Sequence, residues 1–144
     1  MDASVGRCKE EVTRLLSLAD GLSHVGDEAV RVSWGDPQAA PGISAWLDAL
    51  LIETKAWASK LPKQTTERIM IKVGRAITDA KGALGKKDGV AARMFLYEGH
   101  RELTDTALDY LLECACLSGG KLTEELEKRM SKQEATVVLK DLGY

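Results

Sequence analysis

The chain has 144 residues and is 44% hydrophobic, which fits one domain able to bury a core. With 20 Lys and Arg against 22 Asp and Glu, its net charge of -2 excludes global attraction to nucleic acid or an anionic membrane. Any such binding must come from local segregation of charge.

Three cysteines, Cys8, Cys114 and Cys116, cannot pair completely and read as reduced thiols. The charged amino terminus lacks the apolar run of a signal peptide, and no apolar stretch approaches about 18 residues. A cytoplasmic protein without a membrane span is expected.

Over residues 3–22, Val5, Cys8, Val12, Leu15, Leu16, Ala19 and Leu22 recur at helical spacing, with Lys9, Glu10, Glu11 and Arg14 on other faces. This predicts a first helix whose end is bracketed by Gly21 and Gly26. Residues 27–42 hold Gly35, Asp36, Pro37, Pro41 and Gly42 and predict an irregular connector. The alternating run at 29–34 resembles a strand, but no second strand is available to pair its backbone groups. An extended loop packed by Trp34 is therefore expected there.

Residues 43–60 resume the helical period, with Trp46, Leu47, Leu50, Leu51, Thr54, Trp57, Ala58 and Leu61 on a broad apolar face. Trp46 and Trp57 read as core aromatics. Leu61-Pro62 marks a boundary, since proline lacks the N–H of an interior helical position and suits a first turn. The third helix begins there, with Ile69, Val73, Ala76, Ile77, Ala80 and Leu84 as its core face and Gly82, Gly85 and Gly89 marking its end.

Residues 90–117 predict a central helix of about 28 residues, roughly 42 Å long. Ala92, Leu96, Gly99, Leu103, Ala107, Tyr110, Cys114 and Leu117 share its packing face, and Glu98, Glu102, Asp105, Asp109 and Glu113 are expected on the opposite one. Gly119-Gly120 stops it. In residues 119–144, Leu122, Leu126 and Met130 recur every four positions and Ser131-Lys132-Gln133-Glu134 fits a capping box, with Ala135, Val138, Leu139 and Leu142 continuing the pattern. The predicted class is all-α: an antiparallel four-helix bundle with a short helical C-terminal extension, one domain over residues 1–144.

The third helix is distinctly basic, with Lys63, Arg68, Lys72, Arg75, Lys81, Lys86 and Lys87 set against Glu67 and Asp79. Arg68, Lys72 and Arg75 stand at i, i+4 and i+7, so three cations share a face that can track a phosphate backbone. RNA or DNA, bound through sequence-tolerant phosphate contacts, is the partner this implies. A solvated charged face is the plainer alternative, and no aromatic is interleaved to stack on bases. The acidic row at Glu98, Glu102, Asp105, Asp109 and Glu113 reads as a face for a protein partner or for self-association. It is not read as a metal site, because it holds no histidine and carboxylates spread along one helix do not close a coordination shell.

No GxSxG, phosphate-binding glycine loop with its lysine, HExxH or CxxC occurs, so no cofactor is implied and a nonenzymatic role is expected. Arg93, Tyr97, His100 and Thr104 form the one enzyme-like cluster, since positions seven apart on a helix point nearly the same way. The spacing of Arg93 and His100 resembles the loose arginine-to-histidine motif of HEPN-type ribonucleases. That resemblance implies, as a lesser alternative, metal-independent RNA cleavage with Arg93 as phosphate binder and His100 as acid/base.

From residue 43 onward three pieces carry a second resemblance: Lys60-Leu61-Pro62-Lys63 closing an apolar helix, Val73-Gly74-Arg75-Ala76-Ile77 in the next, and Phe95-Leu96 with Arg101-Glu102-Leu103 in the long one. They are similar to the four-helix-bundle proteins encoded in intervening sequences of bacterial 23S ribosomal RNA genes, whose relatives include the accessory variability determinants of diversity-generating retroelements. Lys81-Gly82-Ala83-Leu84-Gly85 stands where that family has an Asn and Ala-Glu-Gly segment. The resemblance implies a homo-oligomer whose basic surface, carried by Arg68, Lys72 and Arg75, engages nucleic acid or a nucleic-acid enzyme. A small subunit of a ribonucleoprotein, such as those of CRISPR effector complexes, shares the same physical expectation.

Overall fold

A computed structural model describes residues 3–113, 123–124, 126–128 and 130–141. The positions assigned above to Cys114, Cys116, Leu117, Gly119, Gly120, Leu122 and Leu142 lie outside the described residues, as do the side chains of Val5, Cys8, Glu113, Val138 and Leu139. Four long helices, α1 (Ala3–Trp34), α2 (Ala40–Ala58), α3 (Lys63–Gly85) and α4 (Gly89–Glu113), are followed by a short α5 (Lys132–Asp141). Each long helix packs on its neighbours around a four-helix bundle, α1 on α2 and α4, and α3 on α2 and α4. Among the described residues there is no strand.

The first helix is much longer than predicted. It runs through Gly21 and Gly26 and takes in residues 27–34, which were expected to be irregular. Both glycines are contact positions rather than stops: a Cβ on Gly21 would lie 3.3 Å from the Leu50 side chain, and one on Gly26 3.5 Å from Arg93 and Leu96. Tertiary packing there outweighs the low helix propensity of glycine. The run at 29–34 is helical too, because Val25, Ala29 and Val32 recur at i, i+4 and i+7 and are all buried. The true stop is Gly35, at φ +134°, after which the Asp36 N–H donates to the Arg31 carbonyl at 2.9 Å. A positive φ suits glycine, and this backward bond satisfies one of the last free carbonyls of the helix.

Pro37–Ala39 makes one 3-10 turn, and α2 starts at Ala40 with Pro41 in its first turn. What remains of the predicted 27–42 connector is this tight corner. The core row of α2 is Ile43, Leu47, Leu50, Thr54 and Ala58. Trp46 is not in the core as expected; it is 41% exposed, edge-on to His24 of α1 with ring centroids 5.7 Å apart. It lies one position before Leu47 and so 100° away from the buried row. Trp57 is half-buried, with the Lys60 ammonium 3.9 Å and the Arg14 guanidinium 5.5 Å from its ring centre.

Thr66 donates from Oγ1 to the Ala58 carbonyl at 2.5 Å, tying the start of α3 to the end of α2. All the predicted core positions of α3 are buried. Its link to α4 is capped from two sides. Asp88 Oδ1 accepts the Ala91 N–H at 3.0 Å, and Ser33 Oγ of α1 accepts the Gly89 and Val90 N–H groups at 2.7 and 3.2 Å.

The interior is built from leucine, isoleucine, valine and alanine, with Leu15, Leu22, Leu47, Ile69, Ile77, Leu84, Leu96 and Leu103 fully buried. Each such side chain contributes about 1.5–3 kcal/mol of transfer free energy. One carboxylate is enclosed with them: Glu11 Oε2 accepts the Tyr110 hydroxyl at 2.9 Å, joining α1 to α4. In the C-terminal extension Ser131 Oγ accepts the Glu134 N–H at 3.1 Å, as the capping pattern predicts, and Leu126 and Ala135 are buried.

Candidate interaction surface

The basic row of α3 and the acidic row of α4 come together in one chain. These helices are antiparallel neighbours, and Arg68 Nη1 lies 2.8 Å from Asp109 Oδ2. Further along, Lys72, Arg75 and Asp79 of α3 and Glu98, Arg101 and Glu102 of α4 line a single groove of about 290 Å³, floored by Ala76, Phe95 and Gly99. Lys63 and Arg68 share a second shallow groove with Asp109. Lys81 is bonded to Asp48 of α2 at 2.6 Å, and Lys86 and Lys87 are exposed at the α3–α4 turn. The seven cations thus form no continuous track: carboxylates stand beside or across from most of them.

The acidic row is divided between an outer edge and the side that borders α3. At 100° per residue it lies roughly 130° round from the Ala92, Leu96 and Leu103 row, on the side toward α3. Glu102 and Asp109 are accordingly half-buried, while Glu98 and Asp105 stay exposed on the outer edge. The Asp105 carboxyl is raised above its ordinary pKa, chiefly by desolvation; Arg101 pulls it back, and Glu102 and Asp109 push it further up.

The outward side of α4 between that row and α1 carries Val90, Met94, Tyr97 and Arg101, spaced i, i+4, i+7 and i+11. Val90 is 42%, Met94 65% and Tyr97 55% exposed. At the same end of the bundle Trp34, the last residue of α1, is 77% exposed; the Ser33 beside it holds the α4 amino terminus. The expectation that Trp34 packs a loop fails because it sits on the outer flank of a helix. This apolar row is what the sequence reading missed. Its signal was the helical spacing of residues 90, 94 and 97, obscured by the apolar Ala91, Ala92, Phe95 and Leu96 interleaved with it.

Arg93 and His100, the enzyme-like pair, are both engaged with α1. Arg93 Nε lies 3.2 Å from Asp27 Oδ1, and His100 Nδ1 bonds the Ala19 carbonyl oxygen at 2.7 Å, so that nitrogen carries the hydrogen. Tyr97 is tilted over His100 with ring centroids 5.8 Å apart. Thr104 joins His100, Leu16 and Asp20 in a cavity of about 490 Å³ that α5 covers with Gln133, Glu134 and Val137, beside Met130. Each of the two thus has a partner on α1, with Arg93 largely exposed and His100 in the lining of that cavity.

Among the described residues no three His, Cys, Asp or Glu side chains converge to hold a metal ion, and no helix is long and apolar enough to cross a membrane. No family model, curated protein or solved structure matches the chain.

Proposed function

We propose that this chain is a nonenzymatic docking module that binds a protein partner through the outward face of α4. The observation that carries this reading is the exposed row of Val90, Met94 and Tyr97, extended at one end by Trp34. Single exposed apolar side chains need no explanation, but three on one helical face make a surface that gains about 25 cal/mol per Å² when covered. Aromatic and methionine side chains are also the types enriched at protein interfaces.

The nucleic-acid reading of α3 draws less support from the geometry. A phosphate approaching Arg68 would have to displace Asp109, and one approaching Lys72 or Arg75 would meet Glu98 and Glu102 across the groove. Each such encounter offsets the counterion-release gain that drives phosphate binding.

The two readings separate by titration against fluorescent amphipathic helical peptides with basic, acidic or uncharged polar faces, and against labelled single- and double-stranded RNA and DNA at low and high salt. The docking module binds at least one peptide, loses it in Met94→Glu/Tyr97→Glu and ignores nucleic acid. Absence of binding to every peptide overturns the reading. Salt-sensitive nucleic-acid binding lost in Arg68→Glu/Lys72→Glu/Arg75→Glu would put the phosphate-tracking face in its place.

A further inference from the structure

The cavity between α1, α4 and α5 has the make-up of a small-molecule site. Its volume of about 490 Å³ falls within the roughly 300–1,000 Å³ of such sites, and residues of all three helices line it. Leu16 of α1, Met130 just ahead of α5 and Val137 of α5 supply its apolar wall. Val137 is 58% exposed, so a guest lying against it would cover apolar surface that the folded chain leaves in water.

The charged and basic groups of the cavity all accept. Asp20 and Glu134 bring exposed carboxylates from α1 and α5, and among the described residues neither is held in an ion pair, unlike Asp27, Asp48 and Asp109. His100 gives its Nδ1 hydrogen to the Ala19 carbonyl, which leaves Nε2 as an acceptor. No lysine or arginine is among the described lining residues. The cations nearest to them along the helices are directed elsewhere. Arg93 lies two turns before His100 and is held by Asp27, and Arg101 lines the α3–α4 groove with Glu102. Lys132 lies roughly 150° round α5 from the side that Gln133, Glu134 and Val137 share.

We infer that this cavity binds a small organic cation: a protonated amine on an apolar body, the body against Leu16, Met130 and Val137 and the ammonium toward Asp20, Glu134 and His100 Nε2. An anion of the same shape would meet two carboxylates, and a neutral analogue would forgo their attraction.

The test is calorimetric titration of the full chain with phenylpropylammonium, phenylpropanol and phenylpropionate, which share one apolar body and differ in the head group. The ammonium is expected to bind tightest, with amide NMR shifts at Asp20, His100, Thr104 and residues 133–137. Asp20→Asn/Glu134→Gln should weaken it roughly three- to tenfold, the scale of two exposed charge pairs, and leave the alcohol unchanged. Val137→Lys, at an exposed position, puts a cation into the cavity and should turn the order toward phenylpropionate. Thr104→Phe should block all three by filling the space; since Thr104 is half-buried, circular dichroism checks that variant, and the exposed positions carry the test should it unfold. Equal or tighter binding of the alcohol or the anion by the parent chain overturns the inference, as does no binding of the ammonium at millimolar concentration. Ammonium binding that Asp20→Asn/Glu134→Gln and Val137→Lys leave unaltered would place the amine outside this cavity and overturn it equally.

Discussion

The two helices beside α4 meet it by different means. On the α1 side the contact is backbone against backbone: Gly89 lies so close to Ala29 that a Cβ would run into the Ala29 carbonyl oxygen and sit 2.9 Å from its carbonyl carbon. Half-buried hydrogen bonds follow along this seam, from the Gly89 N–H to Ser33, His100 to Ala19 and Tyr110 to Glu11. On the α3 side one small-residue crossing, Gly99 over Ala76, is bordered by charged side chains such as Arg68 and Asp109, each nearly half exposed. The first seam fixes register through groups that cannot move independently. The second leaves its charges at a solvated rim, where an ion pair is worth about 0–1 kcal/mol. Charge in this protein is therefore a poor guide to what holds it together, and a better guide to what its outer edge can receive.

Substituting the glycine at each seam is the sharpest way to break that contrast. Gly89→Ala should give the largest effect, about 3 kcal/mol or more, because the obstructing atoms are main chain of α1 and α4 must withdraw, loosening the Ser33 cap as it goes. The urea midpoint should drop with an unchanged slope. Gly99→Ala should cost less, about 1–3 kcal/mol: its Cβ would stand 2.8 Å from the Ala76 methyl, on a helix pair bordered by adjustable side chains. If Gly99→Ala proved the more damaging, the α3 side, not the α1 side, would be the rigid seam.

These glycines also show which parts of the fold were legible in the sequence. The body of α3 was readable because Pro62 stands just before it and an uninterrupted period fills it, although of the three glycines read as its end only Gly85 closes it: Gly82 lies inside the helix and Gly89 opens α4. The extent of α1 was not. Gly21, Gly26 and Gly35 look alike in a sequence, yet the first two are filled by Leu50, Arg93 and Leu96 from other helices, and only Gly35 takes a positive φ. Trp46 was misplaced for a related reason: a tryptophan one position off a buried row scores as core by composition, but its side chain leaves the row by 100°. At the candidate site both charged rows were visible separately. That they stand side by side depends on α3 and α4 being antiparallel neighbours in this register, which no local pattern encodes. The outward row of α4 was present in the spacing of Val90, Met94 and Tyr97, but its exposure follows only once α1 and α3 are placed on either side.

The smallest effect concerns the acidic edge itself and carries a definite sign with pH. The Asp105 carboxyl is raised from its ordinary value of 3.8, first by desolvation, with Arg101 and Arg68 opposing and Glu102 and Asp109 adding to the rise. A carboxyl whose folded pKa lies above its unfolded one destabilises the native state whenever both forms are ionised. That penalty is complete above the folded pKa, and it fades as pH falls through the folded pKa toward 3.8. Asp105→Asn should accordingly stabilise the protein at neutral pH, by no more than about 0.5 kcal/mol as befits an exposed position. The advantage over the parent chain should shrink on acidification, read as converging urea midpoints. A gain independent of pH would mean that the carboxylate is not held unfavourably at this edge. A loss at neutral pH would mean that its attraction to Arg101 and Arg68 outweighs the desolvation, making the α3 side more dependent on charge than its exposed rim implies.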